Sequence, residues 1–169
     1  MRGMSVIKDF IEHIPMDIIT NTRTVYNFLN TCYKCFHDVE YPLLGDFSYG
    51  ELIFQTTDAQ DFFLVELIDN KTFDYVREFL KNKEGQKINK ADPQKILAIL
   101  ADKINEKEFA IDYPICPNCK RRQNHFNDNN RTTQRQIGFA TWTDFEGLTQ
   151  ENKTKRLEEI IHLKGKNLF

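Results

Sequence analysis

Nowhere in the 169 residues do 18 apolar residues run together, so no membrane-spanning helix is expected. The opening stretch Met1–Ile14 is broken by Lys8, Asp9, Glu12 and His13, which leaves no apolar core of the kind a secretory leader needs. Charge of one sign is scarce too: 23 Lys and Arg stand against 25 Asp and Glu, a net charge of −2. That balance argues against a general polyanion or anionic-membrane binder, whose footprint is a marked basic excess. Nor is there a phosphate loop, a G-x-S-x-G elbow or an H-E-x-x-H helix. The expected compartment is the cytoplasm, where thiols stay reduced and paired cysteines signal a metal more often than a disulfide.

What the chain does have is four cysteines in two C-x-x-C pairs, Cys32/Cys35 and Cys116/Cys119. Two intervening residues let both thiolates of a pair reach one ion while backbone N–H groups of the turn point at the sulfurs. Two such pairs supply the closed tetrahedral set of a structural Zn2+ site, so zinc is the expected cofactor and all four cysteines its ligands. A redox dithiol and four merely buried thiols are the alternatives. A redox pair usually opens a helix after a strand, and neither flank here clearly does so. A catalytic zinc would recruit histidine, which makes His37 and His125 the two to watch.

Two zinc enzymes can be set aside. Nucleobase deaminases need H-x-E with P-C-x-x-C, whereas His37 is followed by Asp38-Val39-Glu40 and Ile115 precedes Cys116. HNH-type nucleases need a histidine core, and no histidine lies between His37 and His125. No catalytic residue is therefore nominated, and the chain is read as a non-enzyme. Strand, cysteine pair, strand and a distant facing pair resemble zinc-ribbon proteins; the resemblance covers the four cysteines and their flanks. Where that pattern commonly carries Gly or a small polar residue after the second cysteine, this chain has Phe36.

At this length one domain is expected, with a core large enough not to require a metal merely to fold. Ser5–Ile14 reads as a short amphipathic helix stopped by Pro15, and Thr24–Cys32 suits either a helix or a strand. Tyr41-Pro42 and Leu44-Gly45-Asp46 read as loop. Glu51–Thr57 and Phe62–Ile68, joined at Asp58–Asp61, read as a hairpin. Asn70 or Thr72 caps a helix from Phe73 to about Lys83, with Gly85 past its end, and Asp92 with Pro93 starts another whose apolar face runs to Ile104. Glu108–Pro114 and Ile137–Thr143 alternate as strands, and a helix capped by Thr149 is expected to end at Gly165. The sum is a single α+β domain over 1–169. It holds a zinc-ribbon-like clamp at 32–35 and 116–119, an insertion at 37–114, a hairpin-containing sheet and about four helices.

Two surfaces are candidates for a partner. Cys32–Ile111 carries about ten basic and fifteen acidic residues, Asp112–Phe169 about ten and seven. In the acidic middle, Asp46, Glu51, Asp58 and Asp61 surround Phe54, a pattern complementary to a basic protein. In size, acidity and lack of an active site the chain also resembles small bacterial immunity proteins, which implies a toxin as that partner. The second surface is Lys120, Arg121, Arg122, Arg131 and Arg135 with Phe126, where cations would track phosphates and a ring would stack on a base. A protein-binding module is the leading expectation and a nucleic-acid binder the alternative. The many Phe leave a homodimer open.

Overall fold

The structure, a computed structural model, describes residues 22–44, 49–83, 90–104, 106–109, 114–123 and 131–168, with the backbone alone for 164–168. The expected helix at Ser5–Ile14, the Gly45-Asp46 turn and Gly85 lie outside these residues, as do candidates Asp46 and His125. Within the described residues five strands form one mixed sheet: β1 Thr22–Thr31, β2 Asp38–Leu43, β3 Glu51–Gln55, β4 Phe62–Glu66 and β5 Arg131–Phe139, in spatial order β2-β1-β5-β4-β3. All neighbours run antiparallel except β4 and β5, which pair in parallel through Phe63 with Gly138 and Leu64 with Phe139. Among the described residues four helices complete an α+β domain: α1 Lys71–Lys81, α2 Pro93–Leu100, α3 Thr143–Glu146 and α4 Gln150–Leu168.

The segment that suited helix or strand is β1. Its Thr, Val, Tyr and Phe favour a pleated surface, and bonded neighbours on both sides, β2 and β5, settle the choice. Tyr41-Pro42, expected as loop, lies instead within β2. Proline is tolerated there because β2 is an edge strand. The hairpin is present as expected, with Gln55 opposite Phe62 and Glu51 opposite Glu66. Ahead of it Gly50 has φ 78°, where a side chain is strained by the backbone and its Cβ, 2.6 Å from the Ile68 side chain, would have to displace that group.

Alternation along the hairpin divides the interior in two. Phe54 and Val65 face one cluster, with Phe73, Val76, Phe79, Ile96, Leu97, Trp142, Leu157 and Ile160. Their neighbours Ile53 and Leu64 face another, with Val25, Val39, Tyr41, Phe62, Ile137, Cys32 and Cys116. Successive strand residues point to opposite faces, so one side of the hairpin carries the helices and the other the cysteines.

The helix starts follow their caps. Asn70 Oδ1 accepts the Phe73 N–H at 2.9 Å, and Asp92 Oδ1 accepts that of Gln94 at 2.9 Å with Pro93 in the first turn. The expected reach of the second helix to Ile104 is not found. Asp102 is drawn off to the α3 start, accepting from Thr141 Oγ1 (2.7 Å), Thr143 N (2.7 Å) and Asp144 N (3.0 Å), while Ile104 closes a turn with Lys107. β5 begins at Arg131, well before the expected Ile137, and stops at Phe139, so Thr143 belongs to α3. Helix α4 runs past Gly165, since a glycine inside a helix costs only about 1 kcal/mol.

Candidate metal centre

Each cysteine pair closes a turn of the same construction. In the first, the Phe36 N–H donates to the Cys32 carbonyl at 2.9 Å and the Cys32 N–H to the His37 carbonyl at 2.9 Å. In the second, Lys120 N–H donates to Cys116 O and Cys116 N–H to Arg121 O, both at 2.9 Å. The residue after the second cysteine is left-handed in both, Phe36 at φ 57° and Lys120 at φ 56°. The two turns are thus equivalent, and the Phe36 departure from the ribbon pattern is absorbed by adopting the conformation that glycine would take.

Strand β1 delivers the first turn and the short Ile115–Arg122 bridge carries the second. Together they bring all four sulfurs within 4.8 Å of one another. Cys32 Sγ lies 3.6 Å from Cys119 Sγ, and Cys35 Sγ 3.7 Å from Cys116 Sγ, so the close contacts run between the pairs. A disulfide would require about 2.05 Å, and the four are free thiols. Four metal–sulfur bonds of about 2.3 Å in a tetrahedron place the sulfurs about 3.8 Å apart. The observed separations match that edge, and the cluster could hold a metal ion. Neither pair opens a helix: Cys35 leads into β2 and Cys119 into the Ile115–Arg122 bridge, so the dipole that activates a redox dithiol is missing.

Donors converge on the sulfurs. Lys34 N–H reaches Cys32 Sγ at 3.4 Å and the buried Gln123 Nε2 reaches it at 3.3 Å, while Asn118 bonds Cys35 across the cluster. Burial alone would raise the Cys32 thiol; hydrogen bonds from the Cys35 and Lys34 backbone and from neighbouring sulfurs outweigh it and bring the group down to about 6. The Asn118 side chain, followed by the His37 backbone, lowers Cys35. Burial pushes Cys116 up to about 11. Tyr41, in the same core, is raised by burial and by the negative charge of the cysteines beside it. A cation is the counter-charge that lets all four sulfurs ionise together.

Gln55 fastens the second turn to the hairpin. Fully buried at the end of β3, it accepts the Ile115 N–H at 2.8 Å and donates to the Ile115 carbonyl at 3.1 Å, as a strand neighbour would. Lys120 Nζ adds a bond to the Asp58 carbonyl at 2.6 Å. Neither Gln55 nor Gln123 was signalled by its sequence context, where each looks like an ordinary outer polar residue. Asn118 lies between the two cysteines of the second pair.

The other expected site residues are dispersed. Phe54, nominated as a surface anchor, is 6% exposed and lies in the helix-side core against Phe109, at 5.7 Å between ring centroids. Asp58 and Asp61 share Lys107 at 2.8 and 2.9 Å, and Glu51 pairs with Arg23. Arg131 stacks over Tyr26 at 4.1 Å and Arg135 over Phe62 at 5.0 Å, so both sit on the sheet and not in a loop with Lys120, Arg121 and Arg122. His37 is exposed and contributes its backbone and not its imidazole to the first turn; among the described residues the metal-competent group is the four cysteines alone.

Fold and cluster together define a class: a single α+β domain with a mixed five-stranded sheet and a four-cysteine cluster able to hold a metal ion. Comparisons with protein-family models, with curated proteins and with solved structures give no match to this chain. Among the described residues no helix is long and apolar enough to cross a membrane.

Proposed function

We propose that the chain is a non-catalytic binding module in which Cys32, Cys35, Cys116 and Cys119 hold one structural Zn2+. The observation that carries this reading is the sulfur cluster, whose 3.6 and 3.7 Å edges suit tetrahedral thiolate coordination. A closed four-thiolate set leaves no position for substrate, so the metal's role is to tie β1 to the 114–123 turn across the sheet face that the helices leave uncovered. Tetrahedral sulfur also suits iron, and metal analysis separates the two. Purified protein is expected to be colourless with one zinc per chain, and Cys32→Ser or Cys116→Ser to lower both zinc content and Tm. A chain that retains full Tm after zinc is stripped by a chelator would refute the structural role.

Two kinds of partner compete for the module. Toxin neutralisation through the acidic middle loses support, because Phe54 is a core residue and Asp58 and Asp61 are already paired with Lys107. The nucleic-acid reading is favoured by a specific observation: Lys34, Lys120, Arg121 and Arg122 are all exposed on the two cysteine turns. Stretches 33–37 and 117–122 contain these cations and no carboxylate, in a chain whose net charge is −2. Retention of a nucleic-acid oligomer at low salt, lost on Arg121→Ala with Arg122→Ala, would support this version over the protein-binding one.

A further inference from the structure

The first cysteine turn presents two aromatic rings that its own fold does not use. Phe36 is 79% exposed and Tyr33 is 51% exposed, on either side of Cys35. Phe36 is the more telling of the two. Its backbone is left-handed at φ 57°, a conformation that glycine enters freely and an aromatic residue does not. Among the described residues neither the turn nor the core accounts for the ring, which leaves it open to a ligand. Lys34 Nζ sits 5.5 Å from the Tyr33 ring, and the paired sulfurs bring the cations of the second turn to the same end of the molecule. Arg131, stacked over Tyr26, lies opposite Phe28 on β1, four residues short of Cys32.

We infer that Tyr33 and Phe36 form a stacking platform for single-stranded nucleic acid, with Lys34, Arg121 and Arg122 on its phosphates. This deepens the nucleic-acid reading above and rests on it. The chemistry is that of sequence-tolerant single-strand binding, in which bases stack on aromatic faces while a few cations follow the backbone. Charge complementarity chooses the occupant: Lys34, Lys120, Arg121 and Arg122 on the two turns outnumber Asp38, the exposed carboxylate that follows the first turn, so the surroundings of the rings suit a polyanion, and a duplex would keep its bases from the rings.

The test uses the full zinc-loaded chain and a fluorescein-labelled oligothymidylate of about 15 nucleotides, followed by anisotropy across a salt series. Binding is expected to weaken with salt at a log–log slope of about −2 to −3, as for three or four phosphate contacts. Tyr33→Ala with Phe36→Ala is expected to weaken it about tenfold or more, with zinc content and Tm unchanged because both rings are exposed. Lys34→Ala with Arg121→Ala should flatten the slope. Equal affinity of wild type and the double aromatic variant, or equal competition by duplex, would overturn the platform. Dimerisation seen by sedimentation and abolished by Phe36→Ala, without oligonucleotide binding, would assign the rings to a second copy and also overturn it. A chain that holds one zinc and ignores the oligonucleotide refutes the nucleic-acid reading and the platform with it; wild-type binding kept in full by the double aromatic variant refutes the platform alone; a chain that holds no zinc refutes the clamp.

Discussion

Phe36 and Lys120 occupy the same place in two turns far apart in the chain: each follows the second cysteine of its pair, each is left-handed, at φ 57° and 56°, and each donates its N–H to the first cysteine's carbonyl at 2.9 Å. The left-handed backbone costs an L-residue about 1–2 kcal/mol, and glycine, which avoids that cost, gives back about 0.5–1 kcal/mol through its freer unfolded chain. Phe36→Gly is therefore expected to stabilise the zinc-bound protein by roughly 0.5–1 kcal/mol, a Tm rise of about 2 °C at this size. The same variant should bind oligothymidylate more weakly. Opposite signs in calorimetry and anisotropy would identify a residue that serves a ligand at the expense of its own turn; a Tm that falls would mean the ring packs in the fold after all.

Metal removal should be felt locally before it is felt globally. Cys32 and Cys116 belong to the cluster with Ile53, Leu64 and Ile137, whereas Val76, Ile96, Leu97 and Leu157, all fully buried, belong to the helix-side cluster. On chelation, hydrogen exchange is expected to rise in 32–37 and 115–123 while α1, α2 and the described core of α4 stay protected. Uniform loss of protection in one step would show that the two clusters form one cooperative unit and that the clamp is needed for the whole fold.

Gln55 carries a sharper prediction because its amide pairs with both backbone groups of Ile115, at 2.8 and 3.1 Å, and also donates to the Ala59 carbonyl at 3.3 Å. Gln55→Leu keeps the volume and leaves that N–H and C=O without the amide, at an expected cost of about 2–4 kcal/mol for the two groups. Gln55→Glu keeps the acceptor but loses the donor and places a carboxylate near the thiolates, so it should also weaken metal affinity. Urea unfolding at fixed free zinc, with a competitive zinc titration, separates the two effects. A Leu variant as stable as wild type would mean that water replaces the amide and that the second turn is held without it, by the metal and by the Lys120 bond to Asp58.

These residues also mark where sequence reading stops. The cysteine pairs, the hairpin and the caps Asn70 and Asp92 were legible because each signal is contained within a few adjacent residues. Cooperation of the two pairs followed from the geometry that thiolates impose on one ion, whatever lies between them. By contrast, β5 begins at Arg131 only because β1, more than a hundred residues earlier, offers it an edge, and the polar run from Thr132 to Gln136 has no strand period of its own. Phe54 was misplaced for a related reason: alternation tells which residues share a face, and only the packed helices tell which face is covered. Gln55 and Gln123 are buried by partners that arrive from elsewhere in the chain, and nothing adjacent to them announces it.

Asp58 gives the pH dependence a sign. Its carboxylate pairs with Lys107 Nζ at 2.8 Å and accepts from Thr56 Oγ1 at 2.6 Å and Gln60 N at 3.2 Å, closing the turn on which Lys120 rests. The Lys107 hydrogen bond first, then that of Thr56, lowers the group to about 2, below the ordinary aspartate value of about 3.9. A depressed carboxylate stabilises the fold above its unfolded pKa and loses that contribution as pH falls through the folded one. Asp58→Asn is expected to cost about 1 kcal/mol near neutrality, less than the full shift would imply because the carboxylate is partly solvated. The difference from wild type should persist down to about pH 5 and close between about pH 4 and pH 2. The comparison is best made between metal-free forms of both proteins, so that acid release of the metal does not enter the difference. A gap that stayed constant to pH 2 would show that the asparagine disturbs the turn by shape and that the Asp58–Lys107 pair contributes nothing through its charge.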